Sequence, residues 1–212
     1  MPRAAEIRLP APDAASTIWT IGHSTRPMDD FAELLRLNSI EAVVDVRRFP
    51  ASRAYSQYNE ANLRDALSDG GVAYLWLSSL GGRRRPAPDS ANDAWRSEAF
   101  RGYADHMATE EFAAGLFELL IVGEGMRAAI MCSEAVWWRC HRSLISDVLR
   151  SIGITVKHIV DKSEPKEHPY SSPARIVDGQ LTYSLAPDMT VPADDLWTTV
   201  QPPDATTAEK GS

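Results

Sequence analysis

Apolar residues recur along this chain in two rhythms. Short, nearly unbroken runs rich in β-branched and aromatic residues appear five times, at Ser16–Ile21, Glu41–Val46, Val72–Leu77, Arg127–Cys132 and Ile154–Val160. Each has the length and content of a buried strand. Between these runs the apolar positions recur every three or four residues, the helical period. Phe31, Leu34 and Leu35 form one stripe, with Asp29 or Asp30 placed to cap it. Leu63, Ala66 and Leu67 form a second, capped by Asn59 and stopped at Gly70-Gly71. Helices are predicted over Trp95–Met107 and Thr109–Val122, the latter capped by Thr109 with Phe112, Leu116, Leu119 and Leu120 on one face. Leu144, Ile145, Val148, Leu149 and Ile152 make an apolar face for a helix over Arg142–Ile152, closed by Gly153. Alternation of apolar strands with helices predicts an α/β domain: a mostly parallel central sheet of about five strands with helices on both faces.

After Asp161 the pattern gives way to Pro, Ser, Thr and Asp. Asp178-Gly179 is a hairpin signal, so a small C-terminal β-hairpin is predicted within 174–184. The chain divides into a loose leader over 1–15, the α/β domain over 16–162 and a C-terminal extension over 163–212. The last stretch of that extension, 186–212, is expected to be flexible.

In a parallel sheet the loops at the carboxyl ends of the strands form the binding crevice. Here those loops hold the unusual residues. Gly22-His23-Ser24-Thr25 follows the first strand. Asp45 ends the second, and the polar loop after it carries Arg47, Arg48 and Arg53. Arg83, Arg84 and Arg85 follow the third. The fourth runs into Cys132-Ser133-Glu134 and on to Arg139-Cys140-His141-Arg142.

Composition sharpens this picture. The net charge of −7 argues against coating by nucleic acid. Yet 18 Arg stand against 4 Lys, and arginine's fork grips phosphate and carboxylate where lysine offers a point charge. Concentrated arginine in an acidic protein points to one anion site. The expected binders are Gly22, His23, Ser24, Asp45, Arg47, Arg53, Arg83, Arg84, Arg139 and Arg142, with Asp45 orienting Arg47, His23 or a substrate hydroxyl. Cys140 should lie at a helix N-terminus, where the dipole and its basic neighbours favour a thiolate. Glu134 and His141 can donate or accept a proton. Cys132, at a strand end, suits core packing as well as chemistry. The candidate catalytic set is therefore Cys140, His141, Glu134 and Cys132. The Cys-x5-Arg loop of phosphatases and rhodaneses does not fit: the sixth residue after Cys132 is Trp138, and after Cys140 it is Ser146. The Cys-x7-Cys-His spacing matches no standard zinc pattern, so no metal and no cofactor is expected. His106, His158 and His168 read as structural or exposed, and Trp137 and Trp138 as loop packing.

Taken together, Ile21-Gly22-His23-Ser24-Thr25, Asp45-Val46-Arg47, Phe49-Pro50-Ala51-Ser52-Arg53, Leu80-Gly81-Gly82-Arg83-Arg84, Cys132-Ser133-Glu134 and Cys140-His141-Arg142 resemble the bacterial and archaeal family known as domain of unknown function 488. The likeness runs in order from about residue 17 to 160. It implies a compact α/β domain and a role for the Cys-His-Arg triplet and the Gly-His-Ser loop. It implies no particular reaction.

Three readings follow. The first is an enzyme, a thiol- or acid/base-dependent hydrolase or transferase, acting on a phosphorylated or nucleotide-like small molecule. The second is a non-catalytic nucleotide or nucleic-acid binding module. The third is a thiol redox or sulfur-carrier protein, which requires Cys132 and Cys140 within disulfide reach. The first is favoured, because a binding module has no need of a thiol, an imidazole and a carboxylate so close together. The partner is then an anionic small molecule before a nucleic acid. No run of 18 apolar residues exists, and two cysteines are too few for a disulfide scaffold, so a cytoplasmic protein with reduced thiols and no membrane partner is expected. The oligomeric state is not legible.

Overall fold

The computed structural model describes residues 17–185. The predicted leader and flexible tail lie outside the described residues. The predicted α/β architecture is present. Five parallel strands, β1 (Thr17–Gly22), β2 (Ala42–Asp45), β3 (Ala73–Trp76), β4 (Ala128–Cys132) and β5 (Thr155–Ile159), form one sheet. A short antiparallel strand, β6 (Lys166–Glu167), joins its edge, giving the order β3-β2-β4-β1-β5-β6. Two residues with no apolar pattern leave no periodicity to read, so β6 has no sequence signature. A separate hairpin, β7 (Arg175–Val177) with β8 (Gln180–Thr182), turns at Asp178 and Gly179 with φ of 51° and 77°. Two positive φ values in a row are what an Asp-Gly turn supplies.

Because the central strands are buried on both faces, alternate residues feed two cores. Ile18, Val44, Ile130 and Cys132 face one, while Trp19, Ile21, Val43 and Met131 face the other. Helices α1 (Met28–Leu37) and α2 (Glu60–Asp69) cover the second face through Phe31, Leu34, Leu63 and Leu67. Helices α3 (Glu98–His106), α4 (Glu110–Gly125) and α5 (Arg142–Ser151) cover the first.

Helix ends differ from expectation in instructive ways. Pro27, not an aspartate, precedes α1; Asp29 and Asp30 sit in its first turn, where their negative charge complements the positive end of the dipole. Asn59 does stand at the start of α2, but its side chain accepts from the Ser52 N–H at 2.6 Å and so pins the preceding loop. Thr109 caps α4 as predicted, accepting from Phe112 N–H at 3.2 Å. Helix α3 starts at Glu98, because Trp95 is held out of it by stacking with Phe100 and contact with Tyr183. Among the described residues no helix is long and apolar enough to cross a membrane.

Candidate functional site

The carboxyl ends of β1, β2 and β4 continue their ladders one or two residues into the loops. His23 N–H donates to Cys132 O, Ser24 N–H to Ser133 O and Val46 N–H to Met131 O, each at 3.0 Å. These bonds bring three distant loops to one rim. A Cβ on Gly22 would stand 1.8 Å from Glu134 O, so only glycine lets β1 approach the β4 loop this closely. Gly82 plays the same part from the arginine loop: a Cβ there would lie 2.8 Å from His141 Nδ1.

Around this rim opens a cavity of about 710 Å³, within the usual range for small-molecule sites. Its walls include His23, Ser24, Arg47, Arg83, Glu134 and Arg139, and its floor holds Cys132, Cys140 and His141. The two sulfurs are 2.7 Å apart and unbridged. They are only 2% and 4% exposed, yet both border the cavity.

Beneath them lies Arg142, 1% exposed. Its Nε–H donates to the Cys132 sulfur at 3.0 Å, Nη2 to Glu134 O at 2.6 Å and Nη1 to Thr20 Oγ1 at 3.3 Å. The Glu134 N–H also donates to Cys132, at 3.3 Å. Two sulfurs this close cannot both ionise cheaply, and the pair titrates as a unit. Burial alone would push Cys140 up, but the hydrogen bond from Cys132, the Arg142 charge and the Arg142 backbone N–H outweigh it and bring the thiol down to about 6. Burial, and then the partner sulfur, hold Cys132 well above the ordinary range. One negative charge thus rests on the pair at neutral pH.

His141 is oriented from behind: its Nε2 meets Val46 O at 2.9 Å and its Nδ1 lies 3.5 Å from the Cys140 sulfur. Burial lowers its pKa, so the ring is neutral at pH 7. A carbonyl only accepts, so Nε2 carries the hydrogen and Nδ1 keeps its lone pair as a proton acceptor at the cavity floor. His23 is neutral too: burial, chiefly, drops it to about 4. Its ring stacks on Tyr58 at 4.0 Å, Nδ1 bonds Ser24 O at 2.9 Å and Nε2 faces Arg47 Nη1 at 3.3 Å.

Arg47 lines the cavity but is largely committed to Asp45. Its Nε–H and Nη2–H groups grip that buried carboxylate at 2.6–3.0 Å, and Nη2 also donates to Tyr58 O at 2.8 Å. Tyr74 hydroxyl closes the remaining side of Asp45 at 2.8 Å. Of the partners considered for Asp45, the structure gives it Arg47, and little of the Arg47 fork remains for a ligand.

The other arginines separate into groups. Arg83 and Arg139 are exposed and line the cavity. Arg84 pairs with Glu111 at 2.9 Å and lines a neighbouring groove. Arg53 is exposed and lines neither. Arg142 is not a cavity wall. As the first residue of α5 its side chain turns back toward the helix start and under the sulfurs.

Several residues of the site had no warning in the sequence. Thr20, Tyr58 and Tyr74 sit on ordinary strand or loop positions, and their roles come from partners far along the chain. His106, His158 and His168, expected to be structural or exposed, are all buried. Trp137 does pack the loop, stacked on His158 at 4.2 Å.

The fold and site define an α/β protein whose cysteine pair is buried against an arginine at the carboxyl edge of its sheet. A family model described as "Domain of unknown function DUF488" matches residues 27–149, more than half of the chain, and the protein belongs to that family. The matched range runs from the start of α1 into α5, leaving β1, the Gly-His-Ser loop and everything after α5 outside it. Comparison with curated proteins and with solved structures returns no match.

Proposed function

We propose that this protein is a thiol-dependent enzyme acting on a small phosphate-bearing or otherwise anionic molecule. The observation that carries the reading is the sulfur pair, bearing one negative charge over Arg142, on the floor of a cavity walled by Arg83 and Arg139. The substrate's anionic group is held by those two exposed guanidiniums and the cavity-facing edge of Arg47. The sulfur attacks the electrophilic atom beside that group, forming a bond to it as the leaving group departs. With Cys140 already a thiolate, the leaving atom takes its proton from the Cys132 thiol 2.7 Å away, and His141 Nδ1 and Glu134 serve as proton acceptors for the water that then releases the product. A cavity of this size accepts a nucleotide as readily as a sugar phosphate.

A screen of phosphorylated metabolites and nucleotides by thermal shift tests the binding half. A ligand at about 100 times its Kd stabilises the native state by about 2.7 kcal/mol. A hit that is lost in the Arg83→Ala, Arg139→Ala double variant supports the site. Uniform absence of shifts across anion classes contradicts it.

One observation favours a second reading, thiol–disulfide or sulfur-transfer chemistry: Cys132 and Cys140 are in disulfide reach. Single variants separate the two. Cys132→Ser retains turnover if Cys140 alone is the nucleophile, and abolishes it if the chemistry passes through a Cys132–Cys140 disulfide.

A further inference from the structure

On the side of Arg142 away from the sulfurs stands a file of buried polar side chains that the proposed chemistry does not use. Arg142 Nη1 meets Thr20 Oγ1 at 3.3 Å, and Thr20 Oγ1 meets His158 Nδ1 at 2.7 Å. His158 Nε2 meets His168 Nδ1 at 2.9 Å, and His168 Nε2 meets Asp147 Oδ1 at 2.9 Å. The other Asp147 oxygen accepts from Tyr183 hydroxyl at 2.8 Å. Every member from Thr20 to Asp147 is 2% exposed or less.

The file has a direction. A guanidinium only donates and a carboxylate only accepts. Read from Arg142, each hydrogen finds an acceptor: the Thr20 hydroxyl donates to His158 Nδ1, His158 Nε2–H to His168 Nδ1, and His168 Nε2–H to Asp147. In the reverse direction His158 Nδ1–H donates to Thr20, and the Thr20 hydroxyl hydrogen, which faces only a donor in Arg142, has no acceptor among the described residues. A buried unmet donor is costly, so the forward polarity holds and both histidines carry the hydrogen of the file on Nε2.

We infer that this file is a positioning device for the sulfur pair, and that the C-terminal extension is part of the site. Asp147, through His168, His158 and Thr20, fixes the roll of the Arg142 guanidinium so that its Nε–H faces Cys132. Arg142 and Asp147 both lie on α5, so the file leaves the helix, crosses β1 and β5, and returns from the extension. His168 and Tyr183 come from that extension, beyond the matched range of the family. The inference rests on the reading that the sulfur pair is reactive. The other titratable and charged groups around the sulfurs are His141 beside them and, lining the same cavity, His23, Tyr103, Arg47, Arg48, Arg83, Arg139 and Glu134.

The test is the pH dependence of iodoacetamide alkylation in the full chain. Thr20→Val keeps the shape and removes the hydroxyl, while Thr20→Ser keeps the hydroxyl. The wild type shows a thiolate midpoint well below the free-thiol range. Thr20→Val raises that midpoint by about one unit, which is roughly tenfold slower alkylation below both midpoints, and Thr20→Ser restores it. A low wild-type midpoint that Thr20→Val leaves in place overturns this inference alone. An ordinary wild-type midpoint overturns the reading beneath it. A second measurement needs no variant: imidazole ¹⁵N NMR of the wild type shows His158 and His168 as Nε2–H tautomers, and an Nδ1–H form at either breaks the file.

Discussion

Arg142 spends its donors in three directions: a sulfur, a backbone carbonyl and a buried hydroxyl. A lysine has no fork to reach all three. Arg142→Lys keeps the charge but loses the fork, and is predicted to raise the midpoint of the sulfur pair and to cost about 1–3 kcal/mol, the range for a buried acceptor left without its donor; chemical denaturation and alkylation profiles check both. The same electrostatics sets a pH dependence. Cys140 is held near 6 in the fold against an ordinary value of 9.0. Between those values the unfolded chain holds more protons, so this contribution to stability grows as pH rises and is lost as pH falls through about 6. His23, held at about 4 against 6.5, acts in the same direction lower down: its neutral burial is penalised as pH falls from 6.5 to 4. Each unit of separation corresponds to about 1.4 kcal/mol. Melting temperature should therefore fall continuously on acidification from pH 9 to 4, and a stability maximum near pH 5 would contradict the assignment. In the cavity, Arg83→Ala and Arg139→Ala are each predicted to weaken inorganic phosphate binding about tenfold or more, as loss of a charge-assisted hydrogen bond does. The loss should shrink as salt is raised.

At the scale of elements, the site depends on how closely loops approach one another. Gly22→Ala forces its Cβ into the Glu134 carbonyl, which is itself a partner of Arg142. The predicted cost is about 1–3 kcal/mol, with a raised thiol midpoint, while Gly71→Ala, on an open turn, should leave the midpoint unchanged. Strands, helices and the Asp-Gly hairpin were legible because period and turn chemistry are local signals. So was the meeting of the four loops, which follows from parallel topology alone. The partnerships were not. The stripe Leu144, Ile145, Leu149 announced one buried face of α5, but Arg142, Ser143, Ser146 and Asp147 are buried as well. Nothing in a 3.6-residue period says that a segment twenty or more residues downstream covers the polar side. Asp45-x-Arg47 carried a readable hint, since the ion pair spans only two residues at a strand end. His158 and His168 carried none, because their significance lies in each other.

At the scale of the whole molecule, the extension beyond β5 closes the domain rather than trailing from it. Strand β6 pairs with β5, Tyr183 packs in the larger core, and Ala94 N–H donates to Tyr183 O at 2.9 Å. A chain ended at residue 162 loses His168, Tyr183 and the hairpin together, leaving Asp147 without its His168 and Tyr183 bonds and His158 Nε2 without its acceptor. It is predicted to melt lower and to lose the depressed thiol midpoint, whereas an appendage would leave both untouched. The central claim is that the two sulfurs share one stabilised negative charge. Thiolate ultraviolet absorbance of the wild-type chain, followed against pH, measures it directly. One thiolate equivalent appearing with a midpoint near 6, with the second sulfur silent until far higher pH, is the predicted result. Absorbance rising only at the ordinary thiol value, with two equivalents together, would contradict it.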